Sequence, residues 1–161
     1  MTSLWLATCP ITTQGVAPVS DATYDTVVVG AGISGVTTAL LLARAGQKVA
    51  LIEARVPGAV TTGNTTGKLS LLQGTVMSRI RHHQGDGPLK AHAEANRIGQ
   101  SWLLDHMASK GVAYEFRDAF TYATTDEGRR ELEKELTATQ AAGIGAQWAD
   151  FLGSASKAIA A

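Results

Sequence analysis

The sequence predicts an α/β fold with a parallel sheet, and three observations carry that prediction. Thr26-Val27-Val28-Val29 is a short β-branched run that reads as a strand buried on both faces. Gly30, Gly32 and Gly35 follow it at once. Val36 to Ala45 is then a good helix former, leading into a second apolar run, Val49-Ala50-Leu51-Ile52. Strand, glycine turn, helix and strand within about 30 residues make a βαβ unit, whose strands run parallel with a right-handed crossover.

Each remaining segment is read in chain order. Residues 1–23 are rich in Thr, Ser and Pro and form an arm laid on the surface, with Trp5 and Leu6 placed to pin it. Gly46 stops the first long helix at its C′ position. Residues 54–67 hold Pro57, Gly58, Gly63 and Gly67 together with Thr61, Thr62, Asn64, Thr65 and Thr66, a composition that predicts a loop tied by side-chain and backbone hydrogen bonds. Leu69 to Ile80 fits a helix or a strand, and His82 to Pro88 reads as a second loop. Pro88 or Leu89 opens a long helix to about Lys110, with Leu89, Ala93, Ile98, Trp102, Leu103 and Met107 as its apolar stripe and Gly111 as its stop. Tyr114 to Arg117 and Phe120 to Ala123 alternate, and predict two strands joined at Asp118-Ala119. Thr125 or Asp126 caps a charged helix to about Ala142 that should face water along most of its surface; from Gly143 onward no element is assigned. The expected organisation is an arm at 1–23, a nucleotide-binding region at 24–85, and at 86–161 a helical region with the incomplete start of a second, antiparallel sheet.

Composition narrows the function classes. The chain has 161 residues, 45% of them apolar, enough for a packed core. Its 14 basic and 14 acidic side chains cancel, which removes the electrostatic case for nucleic acid or an anionic membrane as partner. A single cysteine excludes an internal disulfide framework and an all-cysteine metal site; Cys9 reads as a free thiol. The N-terminus lacks the basic and apolar stretches of a secretory signal, and the longest apolar run, Ala39 to Ala43, is far short of the ~20 residues of a membrane span. The expectation is a cytoplasmic protein. His82, His83, Asp86 and His92 lack the spacing of a metal site, so no metal is expected.

The chemistry lies in the glycines. Gly30-Ala31-Gly32-Ile33-Ser34-Gly35 matches G-x-G-x-x-G where the pattern has meaning, between a strand and a helix. The first glycine permits the turn, the second lets a pyrophosphate approach the backbone, and the third lets the helix pack close to the sheet. The anion then rests on the free N–H groups and positive end of the helix. Glu53 ends the second strand about 20 residues further on, the spacing of the acid that binds ribose hydroxyls. A carboxylate there accepts from a free 2′-OH and repels a 2′-phosphate, against an NADP-type ligand. Ala39 and Leu42, between Gly35 and Gly46, place a small residue on the sheet-facing side of the helix. The unit is a Rossmann-type dinucleotide-binding region, with a purely structural glycine turn as the alternative. Ser34 lacks the context of a nucleophile elbow and suits donation to a phosphate. These residues alone leave FAD and NAD both open.

The stretch from Tyr24 to Gly35 and on to Glu53 resembles the N-terminal FAD fingerprint of the D-amino-acid-oxidase-like flavoprotein family. The loop Thr61-Thr62-Gly63-Asn64-Thr65-Thr66-Gly67-Lys68, and the opening Ser3-Leu4-Trp5-Leu6, resemble a subgroup in which a C-terminal Rieske domain follows the FAD-dependent oxidoreductase domain. Asn64 stands where many relatives have His. The resemblance implies FAD as cofactor, bound by Gly30, Ala31, Gly32, Ile33, Ser34, Gly35, Glu53, Ala54, Thr62, Asn64, Thr65 and Thr66. It implies hydride transfer to flavin from a small amine or amino-acid-like donor, within a larger enzyme whose later segments bind substrate and complete the flavin site. No catalytic acid or base is assigned. Tyr114, Phe116, Phe120 and Tyr122 are candidates for a substrate cavity or for ordinary strand packing. The competing expectation is a truncated, non-catalytic dinucleotide-binding fragment.

Overall fold

The structure, a computed structural model, describes residues 3–8, 21–149 and the backbone of 157–160. Cys9 lies outside them. The chain forms two compact units, Met1–Lys68 and Leu69–Ala161.

The first unit contains α1 (Leu4–Thr8), β1 (Thr26–Val29), α2 (Ile33–Arg44) and β2 (Val49–Ile52). β1 and β2 pair in parallel from Thr26↔Val49 to Val29↔Ile52, as the βαβ pattern requires. Asp25 fixes the register at the start of the ladder. Its carboxylate accepts from the Lys48 N–H at 2.8 Å, and its own N–H donates to the Lys48 carbonyl at 2.9 Å. α2 begins three residues before Val36, because extended Gly32 already serves as its N-cap. At the other end the Gly46 N–H bonds to the Ala43 carbonyl and the Gln47 N–H to Leu42, the paired closure of a Schellman motif. Ala39 is buried against the sheet side. Burial of β1 on both faces is not what forms. Val28 faces α2, while Val27 and Val29 on the other face are 55% and 79% exposed, since α2 covers one side of the pair.

The second unit contains α3 (Val76–Gln84), α4 (Asp86–Ser109), β3 (Phe120–Ala123), α5 (Asp126–Ala141), β4 (Gln147–Ala149) and β5 (Lys157–Ala160). Met77, Leu89, Ala93, Ala138, Ala142 and Ile144 form the core between the three helices. Leu132, Leu136 and Ala146 make a smaller cluster with Ala123 against it. The strands form an antiparallel sheet in the order β3-β5-β4.

Four expectations change here. The loop foreseen at 82–88 is a single residue, Gly85, between two helices; Asp86 and Pro88 fit the first turn of α4, where a missing N–H costs nothing. A boundary after residue 85 would therefore part α3 from α4, which share one core. Tyr114 to Arg117 forms no strand. Its contacts are local, an edge contact of Tyr114 with Phe116 and an ion pair of Arg117 with Glu115, and β3 pairs instead with β5. Finally, α5, expected to face water along most of its surface, buries a face made of Leu132, Glu135, Leu136, Ala138 and Thr139.

Candidate functional site

The glycine turn is built by three different physical demands. Gly30 leaves β1 with its N–H bonded to the Ile52 carbonyl at 2.8 Å and φ at +98°, a conformation that reverses the chain and that side chains resist. Gly35 is demanded by packing. A Cβ there would stand 1.9 Å from the Gly30 carbonyl oxygen. Gly32 is different. Its φ of −75° and ψ of 177° suit any residue, and a Cβ would meet only Thr62 Oγ1, at an ordinary 3.5 Å. Nothing in the fold requires glycine at 32. What a side chain there would fill is the approach to the first turn of α2, which receives no cap from Gly32 and carries no acidic residue of its own. The partial positive charge of that helix end is left for an incoming anion.

Glu53 closes the turn from the end of β2. Its carboxylate accepts from the Ala31 N–H at 2.8 Å and the Arg55 N–H at 2.9 Å. The Ala31 bond first, then the Arg55 bond, hold its pKa below the ordinary carboxylate value against a smaller opposing effect of burial, with the Arg55 charge adding less again. Ionised, the carboxylate has about four acceptor positions, so two N–H donors leave room for hydroxyls.

The segment after Glu53 folds back over the turn. Gly58 donates to the Ala31 carbonyl at 2.9 Å, Gly63 to the Gly58 carbonyl at 2.7 Å, and the Ile33 N–H donates to Thr62 Oγ1 at 2.9 Å. Thr62 thus stands at the mouth of α2, with its own hydroxyl proton still available to a phosphate oxygen. Asn64 turns back into the loop, donating to the Val60 carbonyl at 2.6 Å, and Thr65 Oγ1 accepts from the Gly67 N–H at 3.2 Å. Ser34, Ala54 and Thr66 are exposed. The structure therefore joins Gly30 to Gly35, Glu53 and Thr62 in one constellation, while Asn64 and Thr65 shape the loop. Sequence reasoning missed the part of Gly58, whose link to Ala31 is a backbone bond without a side-chain signal.

The other candidates have different partners. His82 sits edge-on to His83 with centroids 4.8 Å apart, Asp86 pairs with Arg81 at 2.7 Å, and His92 lies 3.2 Å from the Asn96 amide. Among the described residues no three metal-type side chains cluster. Phe116 and Tyr122 are 79% and 61% exposed, which gives neither a cavity wall nor tight strand packing. A cleft of about 710 Å³ in the second unit has Arg81 and Lys134 in its lining, already paired to Asp86 and Glu131, and contains none of the turn residues. No helix among the described residues is long and apolar enough to cross a membrane.

A glycine turn open at Gly32, a helix start without an acidic residue and an anchored carboxylate are the arrangement that dinucleotide-binding βαβ units use. Residues 25–156 match the family described as DAO, FAD dependent oxidoreductase, and the chain belongs to that family. A curated relative is YhfW of Bacillus subtilis (strain 168), named as a Rieske 2Fe-2S iron-sulfur protein. It is 27% identical over 126 residues, which are 77% of this chain and 25% of that protein, so the chain spans about a quarter of the relative's length. The relative's name agrees with the subgroup that joins an FAD-dependent domain to a Rieske domain. A Rieske centre takes two cysteines and two histidines, and the single cysteine of these 161 residues does not supply it. No solved structure matches the chain.

Proposed function

We propose that the chain binds FAD at the glycine turn, as the nucleotide-binding part of an oxidoreductase acting on a small amine or amino-acid-like donor. The observation that carries the binding is Gly32, a glycine at the helix start where neither backbone angles nor packing exclude a side chain and whose missing Cβ leaves the approach open. The pyrophosphate would lie against the Gly30 to Gly35 backbone at the start of α2, with the Ala31, Ile33 and Ser34 peptides around it. The Ser34 and Thr62 hydroxyls would donate to its oxygens. Glu53, held by Ala31 and Arg55, would accept from the ribose hydroxyls beside Ala54. The loop residues Asn64, Thr65 and Thr66 would flank the ligand. Bound flavin supplies the hydride acceptor, and the protein supplies binding, orientation and charge. Family membership supports the cofactor and the reaction type. The donor class and a small-molecule partner extend that support.

The test uses the purified chain, its visible spectrum and a titration with FAD. Flavin absorption that survives desalting, or saturable uptake of added FAD, is expected. Gly32→Val should weaken binding by at least about tenfold, with an unchanged circular dichroism spectrum, because its backbone angles suit any residue. A colourless chain that takes up no FAD would sink the proposal, as would equal binding by the variant. Anaerobic reduction of the bound flavin by amines separates an oxidoreductase from a dinucleotide-binding fragment without turnover.

A further inference from the structure

Ser3 and α1 meet the 61–67 loop on the short stretch from Gly63 to Gly67. Ser3 Oγ donates to the Gly63 carbonyl, and Trp5 Nε1 donates to the Thr65 carbonyl at 2.7 Å. The two glycines bracketing Asn64-Thr65-Thr66 seat Leu6 and Trp5 of this helix. A Cβ on Gly63 would stand 3.0 Å from Leu6 Cδ2, and one on Gly67 would stand 2.6 Å from Trp5 Cζ2. Gly67 also holds φ at +71°. A helix of one turn has no stability of its own, so α1 owes its order to the loop it is bonded to. The Trp5 indole remains 43% exposed, so burial alone does not account for it, whereas its N–H bond and its seat on Gly67 do. Next to Gly63 is Thr62, whose Oγ1 accepts the first N–H of α2.

We propose that Trp5 is a positioning residue of the nucleotide site: α1 straps residues 63–67 and thereby sets Thr62 at the start of α2. Its consequence for ligand affinity rests on the FAD reading above; its structural part does not. Trp5 touches no ligand in this scheme and acts through the loop. The prediction is therefore communication from the N-terminus to Ile33, distant in sequence and linked through the loop.

The test measures amide hydrogen exchange in the ligand-free full chain. Trp5→Ala should speed exchange at the Ile33 N–H roughly fivefold, the effect of losing about one ordinary hydrogen bond. The amides of the β1–β2 ladder should keep their wild-type rates, which shows that the unit is still folded. Trp5→Phe, which keeps a ring on Gly67 and loses the donor, should give a smaller change in the same direction and carries the test where Trp5→Ala fails to fold. Thr62→Val should reproduce the Ile33 effect while leaving the tryptophan fluorescence of the chain unchanged. Where the wild-type chain binds FAD, Trp5→Ala should raise the FAD dissociation constant roughly fivefold as well. Unchanged Ile33 exchange in both Trp5 variants, with the ladder intact, would overturn the strap. A wild-type chain that binds no FAD, with Ile33 responding as expected, overturns the FAD reading and leaves the strap standing.

Discussion

Glu53 anchors the glycine turn, and in the proposed site the same carboxylate meets the ribose. Two backbone N–H groups hold it ionised, so its folded pKa lies below the ordinary value of about 4.3 that it takes in the unfolded chain. The fold is therefore stabilised by the ionised form. That contribution is complete above the unfolded value and is lost as pH falls through the lower, folded one. FAD affinity and the stability of the first unit should be flat from about pH 8 to pH 5 and decline below about pH 4. Glu53→Gln should bind more weakly throughout and lose the part of the acid decline that Glu53 supplies; an identical acid limb in variant and wild type would count against the role. At this scale much of the site was legible. Gly30 and Gly35 are demanded by local geometry, and the spacing of the motif marks Gly32 and Glu53 beside them. Thr62 was legible only as one hydroxyl among several, because which of them reaches α2 depends on how Gly58 and Gly63 fold the loop back.

At the scale of elements the informative residue is Glu135. In sequence it belongs to a run of mixed charge and reads as part of a solvated face. In the fold it is fully buried, and its two carboxylate oxygens accept from the Met77 N–H at 3.0 Å and the Ser78 N–H at 2.7 Å. It caps α3 from α5, doing for Met77 and Ser78 what Thr75 does not. One sequence signal existed. Leu132, Glu135, Leu136 and Thr139 fall at i, i+3, i+4 and i+7, a single helical face, and the charge run hid that face. Glu135→Ala strands two donors at the start of α3 and should cost about 3 kcal/mol in urea unfolding. Leu89→Ala, which empties a fully buried position in the same core, should cost about 2–5 kcal/mol. A loss below about 0.5 kcal/mol in Glu135→Ala would mean that α3 keeps its end without the cap. The alternation at Tyr114 to Arg117 failed for a complementary reason. A strand exists by virtue of its partner, and alternating side chains do not reveal whether one is there.

The whole molecule is two units of unequal depth. Among the described residues of the first, the buried apolar side chains are Ala31 and Ala39, while Val27, Val29 and Ile52 stand exposed on the side of the sheet away from α2. The second unit has two apolar clusters and the Glu135 cap. Buried apolar area is the main favourable contribution to folding, so the first unit has the smaller reserve against local opening. Ligand-free hydrogen exchange should accordingly find the ladder amides of β1 and β2 opening at lower free energy than the amides of α3 and α5. A ligand that binds only the folded first unit changes that order by mass action. At a hundred times its dissociation constant it adds about 2.7 kcal/mol to the unit that holds it. With FAD at that excess, protection should rise across residues 26–67, most steeply at the glycine turn, and bring the first unit level with or above the second. One opening free energy shared by all amides before FAD is added would show a single cooperative body and contradict the two-unit reading. Different free energies with no response to FAD would leave the two units standing and locate the failure in the ligand. The site would then be a nucleotide fold whose stability had to come from some source other than the cofactor.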